Sequence, residues 1–465
     1  MRGFNLRRIL AAFVLPLLVL AIAGMAHAAT FTVTNTGDSA KALAGDGTLR
    51  GEILAANLAG GTNTINFQAG LAGTIGLASA LPMILSDDNL TITGPIGSPG
   101  ITISGGGRVP VVVSFGTLNI SNLTIANGKS TTFTASGGIL NYFGTLSIAK
   151  STFSGNSSEF GGGAIQNLGT LTVTNSIFSR NTAPGDGGGA IGNLGGSATA
   201  TITNSTFSDN GTLTNDPSTD TISGGAILNN GGTILVTNCT FSGNSAESGG
   251  GVDGNSVTVT NSTFLGNSAL PGNGGAVRSG VLSTGRAKLK GTILAGSLNN
   301  IGNCAGTIID VGYNISDDDS CRFSEPPTGT STNGSTSLNL DPAGLHNNGG
   351  PTQTIALKTG SNAIGFDTDC TDQAKPPNPV LTDQRGFSRP NSPTFCDSGA
   401  YEHDGVETFA GTPGRADCDG VIVAELSHEY GSLDAAASLL GYPKVQALHD
   451  AIRMFCGVRA LPSEG

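Results

Sequence analysis

Five aspartates stand in two short groups, Asp317-Asp318-Asp319 and Asp367-x-Asp369. Clustered carboxylates of this kind are the oxygen-rich sets that calcium favours. The competing reading is a solvated acidic loop closed by the nearby Cys321 or Cys370. Asp383 and Arg385, in "TDQRG", suit a fixed ion pair that shapes a loop better than an acid–base couple. His428 and His449 lack the Cys or carboxylate spacing of a zinc site.

Glycan cleavage is the other chemistry to test. Hydrolysis needs two carboxylates a few ångströms apart, and a lyase needs a base, a cationic residue for the substrate carboxylate and often calcium. Between 136 and 280 the acids are Glu159, Asp186, Asp209, Asp216, Asp220, Glu247 and Asp253, and the bases Lys150, Arg180 and Arg278. They fall at unmatched places and form no row, so no catalytic residue or organic cofactor is assigned. A cleaving site, if present, is built from the loops at 183–187, 211–220 and 268–273. Trp is absent and Tyr numbers five, which leaves few flat rings for a sugar.

The elements that must carry these residues repeat. Phe153, Phe178, Phe207, Phe241 and Phe264 are each followed three places later by Asn156, Asn181, Asn210, Asn244 and Asn267. Between them come "GGAI" at 162–165, 188–191 and 224–227, then looser forms at 250–252 and 274–277. Before each phenylalanine stands an alternating segment, such as "TLTVTNSIF" or "TATITNSTF", that puts Leu171 and Val173 on one face and threonines on the other. A unit this short cannot bury its apolar face alone, so successive units must stack as rungs. Parallel pairing then predicts a phenylalanine column indoors, an asparagine column bonded amide to amide, and glycine pairs at corners where positive φ or close approach forbids a Cβ.

These phrases resemble the repeats of the polymorphic outer-membrane protein family over about 136–280. The resemblance implies an all-β fold, a right-handed parallel β-helix (a pectin-lyase-like solenoid). Residues 31–67, with Thr48-Leu49-Arg50 and Ala55-Ala56-Asn57, resemble the CSLREA-type segment that starts secreted β-helix proteins, and imply an N-terminal cap with a helix from Leu49 to Asn57. Residues 299–402, with "HNNGGPTQTIALKTGSNAIGFDTDC" and "LTDQRGFSRPNSPTFCDSGAYE", resemble the choice-of-anchor Q module, which implies surface presentation.

The expected organisation is a signal peptide at 1–28, cap and first coils at 29–110, a repeat block at 111–298, the anchor-like module at 299–403, a linker at 404–416 and a small helical piece at 417–465. Arg2, Arg7 and Arg8 before an apolar run that ends in Ala26-His27-Ala28 carry the signal-peptide reading. On the helical piece Val445, Leu448, Ile452 and Phe455 share a face. Six late cysteines are paired by proximity as Cys304–Cys321, Cys370–Cys396 and Cys418–Cys456, and Cys239 is read as a small buried thiol. Asn-Ser-Thr at 204 and 261 matches a glycosylation sequon but is generated by the repeat itself. The net charge of −11 disfavours nucleic acid and anionic membranes.

The expectation is therefore an exported, non-enzymatic protein, secreted or at the cell surface, with no transmembrane segment in the mature chain. Its partner is an extracellular or cell-surface macromolecule, including a glycan. The alternatives are a polysaccharide lyase or glycoside hydrolase on the same scaffold, and a structural surface-layer component.

Overall fold

The computed structural model describes residues 28–455 apart from 98–99, 133–135, 186, 213–223, 281–284, 299–301, 325, 327–329, 390–394, 404–417 and 440–443. The signal-peptide and linker expectations lie outside the described residues.

Three parallel sheets of eleven, ten and eight strands build the solenoid, the eight-stranded one from Val112–Ser114 onward. Each coil visits them in turn, as in Ile139–Asn141, Thr145–Ala149 and Thr152–Ser154, and the next coil pairs in register on the last. Parallel neighbours joined by crossovers wind right-handed, because the twist of each strand closes only that way, and the chain is a right-handed parallel β-helix. The eleven-stranded sheet runs without a break from Ala29–Val33 to Ile308–Asp310, across both 110 and 298.

The expected columns are present. Phe153, Phe178, Phe207, Phe241 and Phe264 are fully buried and stack with centroids 5.0, 4.9, 4.9 and 4.5 Å apart, their rings nearly parallel. Three residues on, each asparagine amide from Asn156 to Asn244 donates to the carbonyl oxygen of the next at 2.9–3.0 Å. The same oxygen accepts the backbone N–H of the preceding asparagine. A buried polar group is tolerated only when bonded, and here the rung below supplies the bond.

Of the two reasons for glycine at the corners, close approach decides. A Cβ on Gly163 would stand 2.2 Å from the Gly189 carbonyl oxygen, and one on Gly189 2.1 Å from that of Gly225. Cys239 is free and buried, in a column where Ser176, Ser205 and Ser262 place their hydroxyls.

The N-terminal end is closed by helix α1 (Leu49–Ala59), capped by Thr48, whose side chain accepts from the Gly51 N–H. Leu49 and Ile53 enter the core, and buried Arg50 pairs with Asp38 at 2.8 Å. The C-terminal piece is three helices, α2 (Cys418–Tyr430), α3 (Leu433–Leu439) and α4 (Val445–Phe455). Leu448 and Ile452 pack with Ile422, Leu426, Ala436 and Ala437 in its own core. Cys418 is disulfide-bonded; the expected partner, Cys456, and the side chain of Phe455 lie outside the described residues.

Candidate functional site

The sequence-selected aspartates occupy two separate settings. Asp317 accepts from Asn303 Nδ2 and from the Gly296 N–H, both at 2.6 Å. Asp318 accepts from the Asn303 N–H at 2.8 Å and from the Ser320 N–H and hydroxyl at 2.9 and 2.5 Å. The carbonyl oxygen of Asp319 receives the Arg322 N–H, which turns the chain beside the Cys304–Cys321 disulfide. Donors thus surround the Asp317 and Asp318 carboxylates, and a cation there would have to displace them.

Asp367 and Asp369 sit beside the Cys370–Cys396 disulfide instead. Asp369 receives the buried Lys290 ammonium at 2.5 Å; burial works against its charge, but that bond holds its carboxyl below the usual range. Asp367 accepts the Asp369 and Cys370 N–H groups on one oxygen, while burial, the larger effect, pushes its carboxyl up. Among the described residues no three His, Cys, Asp or Glu groups converge as a metal set.

Asp383 and Arg385 form the expected fixed pair, with guanidinium to carboxylate at 2.7 Å. The Arg385 guanidinium lies 4.0 Å from the Phe387 ring centroid and 3.6 Å from that of Tyr401, a stacked cation. Beside it Arg389 meets Glu402 at 2.8 Å. Burial pushes the Glu402 carboxyl up to about 7 despite the attraction of Arg389. This network lies in residues 352–402, a stretch that packs as a module on the solenoid, whose strands continue to Ile315–Ser316. Gln384 donates to Thr206 Oγ1 at 2.8 Å and accepts from Thr240 Oγ1 at 2.6 Å, and the Ala400 N–H donates to Thr263 Oγ1 at 3.0 Å. The module therefore covers the outer face of the ten-stranded sheet over the later rungs.

In the repeat block, Asp253 is fully buried, with Arg278 at 3.5 Å and one carboxylate oxygen unpartnered among the described residues. Burial pushes its carboxyl up to about 7, and Arg278 pulls the other way. Among the described residues Arg278 is the charged group that acts on it. Of the candidate loops, Asp186, Asp216 and Asp220 lie outside the described residues. Of the two sequon asparagines, Asn261 is fully buried and Asn204 half-buried.

One feature escaped the sequence reading. Phe115, Tyr142 and Phe143, which lie outside the F-x-x-N phrase, meet at one exposed corner. Their rings stand 5.2 and 4.8 Å apart in tilted and edge-on contacts. Few rings are expected to be free for a ligand; these three stand outside the core column, at a corner.

Residues 150–168 match the model of the Chlamydia polymorphic membrane protein repeat, a stretch that holds Phe153, Asn156 and Gly162 to Ile165. None of the curated proteins matches the chain. Among solved structures, the crystal structure of pectate lyase Pel9A is similar with a TM-score of 0.35 and 12% identity, over 81% of this chain and 96% of that one.

Proposed function

We propose that this chain is an exported β-helix protein, displayed at or released from a cell surface, which binds an extracellular macromolecule without cleaving it. The observation that carries the reading is the outer face of the eleven-stranded sheet. There Thr170, Thr172 and Thr174 lie in register with Thr199, Thr201 and Thr203, and these coils alternate buried core with solvent-facing threonine. Over these coils the face is long and carries no charged side chain, which suits contact with another surface better than the enclosure of a substrate.

The Cys304–Cys321 and Cys370–Cys396 disulfides and the bonded Cys418 suit an oxidising compartment. Among the described residues no helix is long and apolar enough to cross a membrane. The repeat match adds a likeness to a family described as membrane proteins.

The test is fractionation of the native host with protease treatment of intact cells. Recovery in the medium or in a protease-sensitive surface fraction is expected; recovery only in the cytosol would refute the proposal. Cleavage of an acidic glycan that is abolished by Asp253→Asn would refute its non-enzymatic part.

A further inference from the structure

Most exposed large apolar side chains on this chain stand singly, which is normal for a folded surface. The corner that joins the eight-stranded to the eleven-stranded sheet is different. Phe115 is 38% exposed, Tyr142 40% and Phe143 67%, on adjacent coils and in ring contact. Leu85, also exposed, continues the ridge on the preceding coil, where the Phe115 N–H bonds to the Ile84 carbonyl.

The backbone supplies a second, independent observation. Asn141, Asn167 and Asn229 belong to one register column, and Thr145, Thr170 and Thr233 to another. Between these columns the 167–170 coil has two corner residues, Leu168 and Gly169. The 141–145 coil has three, Tyr142, Phe143 and Gly144, and the 229–233 coil also has three, Asn230, Gly231 and Gly232. Phe143 thus takes the place of Gly231. Both lie in left-handed backbone, φ 58° and 100°. A bulky residue there is strained, and strain that persists at a side chain left largely in solvent points to a use. The chain holds a phenyl ring out in solvent at a position where glycine is the relaxed choice.

We infer that this ridge is a docking strip for a neutral polysaccharide, with pyranose faces laid on the Phe115, Tyr142 and Phe143 rings. Three features select that occupant. From the fractional exposures and usual ring areas, the rings offer on the order of 300 Å², well short of the ~800 Å² per partner that a stable protein interface needs. The exposed charged residue of these corners is Asp87, which repels a polyuronate, while Asp88 is buried. Thr117 and Thr145, paired in register as the first strand residues after the corners, carry uncharged hydroxyls of the kind that sugar hydroxyls need as partners. Aromatic faces that carry apolar contact next to such groups match the two-sided chemistry of a sugar ring.

The inference rests on the extracellular reading above, and its test is separable from it. Purified full-length chain is sedimented with suspensions of cellulose, chitin, mannan and a β-1,3-glucan, with polygalacturonate as the acidic control. Retention by at least one neutral polymer and none by the control is expected. Phe143→Gly should weaken that retention about tenfold while leaving the melting temperature unchanged or higher, because it removes a ring and relieves the backbone; Phe115→Ala should also weaken it. No retention by any neutral polymer, retention unaffected by Phe143→Gly, or a lower melting temperature in that variant would each overturn the inference. So would a self-associated form in ultracentrifugation that Phe143→Gly dissolves, which would assign the ridge to a second copy of the chain. Failure here with a surface location intact removes the glycan alone; a cytosolic location removes the display reading itself.

Discussion

Replacing Asn210 with alanine cuts the buried amide ladder at its middle rung. Asn210 Oδ1 accepts the Asn181 N–H at 3.0 Å and Asn181 Nδ2 at 2.9 Å; its own Nδ2 donates to the Phe178 carbonyl and to Asn244 Oδ1, both at 2.9 Å. Some partners survive the change, since Asn181 Nδ2 keeps the Phe153 carbonyl and Asn244 Oδ1 keeps the Asn210 N–H. The Asn181 N–H loses its partner and the Phe178 carbonyl loses a donor. An orphaned buried N–H costs ~1–3 kcal/mol and each lost bond about 1 kcal/mol net, so with the space left behind the expected loss is about 3–5 kcal/mol.

Thr201→Ala, on the exposed face, is the control and should stay within about 0.5 kcal/mol. The chain has no tryptophan, so urea unfolding is followed by far-ultraviolet circular dichroism. A stack of coils can also open in pieces, so amide exchange at Asn181 is the local readout. It should accelerate about a hundredfold, the factor matching a loss near 3 kcal/mol. A stability loss no greater than that of Thr201→Ala, with Asn181 protection unchanged, would refute the view that the ladder holds the coils together.

Three further outcomes are expected. Gly189→Ala should cost about 3 kcal/mol or more, because its Cβ would meet the Gly225 carbonyl at 2.1 Å and the Gly211 nitrogen at 2.6 Å; an unchanged melting temperature would sink that account. Burial pushes the Cys239 thiol up to about 12, so a thiol reagent at pH 8 should label it only after denaturation, and Cys239→Ser should fold because Ser205 and Ser262 share its column. Labelling of the native thiol would contradict this. Glu402 is raised from 4.5 to about 7. A raised acid is held protonated by the fold, so its stabilisation is complete below pH 4.5, declines between 4.5 and about 7, and is lost above. Melting temperature should therefore fall from pH 5 to pH 8, and by less in Glu402→Gln; an equal fall in both would exclude Glu402 as the source.

The interior was legible because stacking makes each coil reuse the same residue type at the same place, so a spatial column becomes a sequence period. Other columns were present but passed unread. Asn141, Asn167, Asn193 and Asn229 form a second buried amide ladder, with 2.7 Å links, written as "ILN", "IQN", "IGN" and "ILN". Asn122, Asn175, Asn204 and Asn238 turn the next corner with φ near 50°, the asparagine of each "TN" or "SN". Asparagine tolerates that conformation better than most residues. The docking of the module was not legible at all. Gln384 meets Thr206 and Thr240 across 178 and 144 residues of chain, and such a contact occurs once, with no period to reveal it.

The same logic locates the candidate site. A solenoid interior penalises departure from the repeat, since a changed residue loses partners on the coils above and below. An outward corner imposes no such penalty, and there departures accumulate: Lys150 lies between Asn122 and Asn175 in the left-handed corner column, Leu235 between Thr201 and Thr258 on the threonine face, and Phe143 where another coil has Gly231. Two of these are mild. A lysine keeps most of its chain in contact with the surface, and a lone exposed leucine is ordinary. Phe143 is not mild, because it combines backbone strain, exposure and two aromatic neighbours on one ridge. In a repeat protein, the residue that breaks the pattern at an energetic cost to the fold itself is the one whose retention calls for a partner outside it.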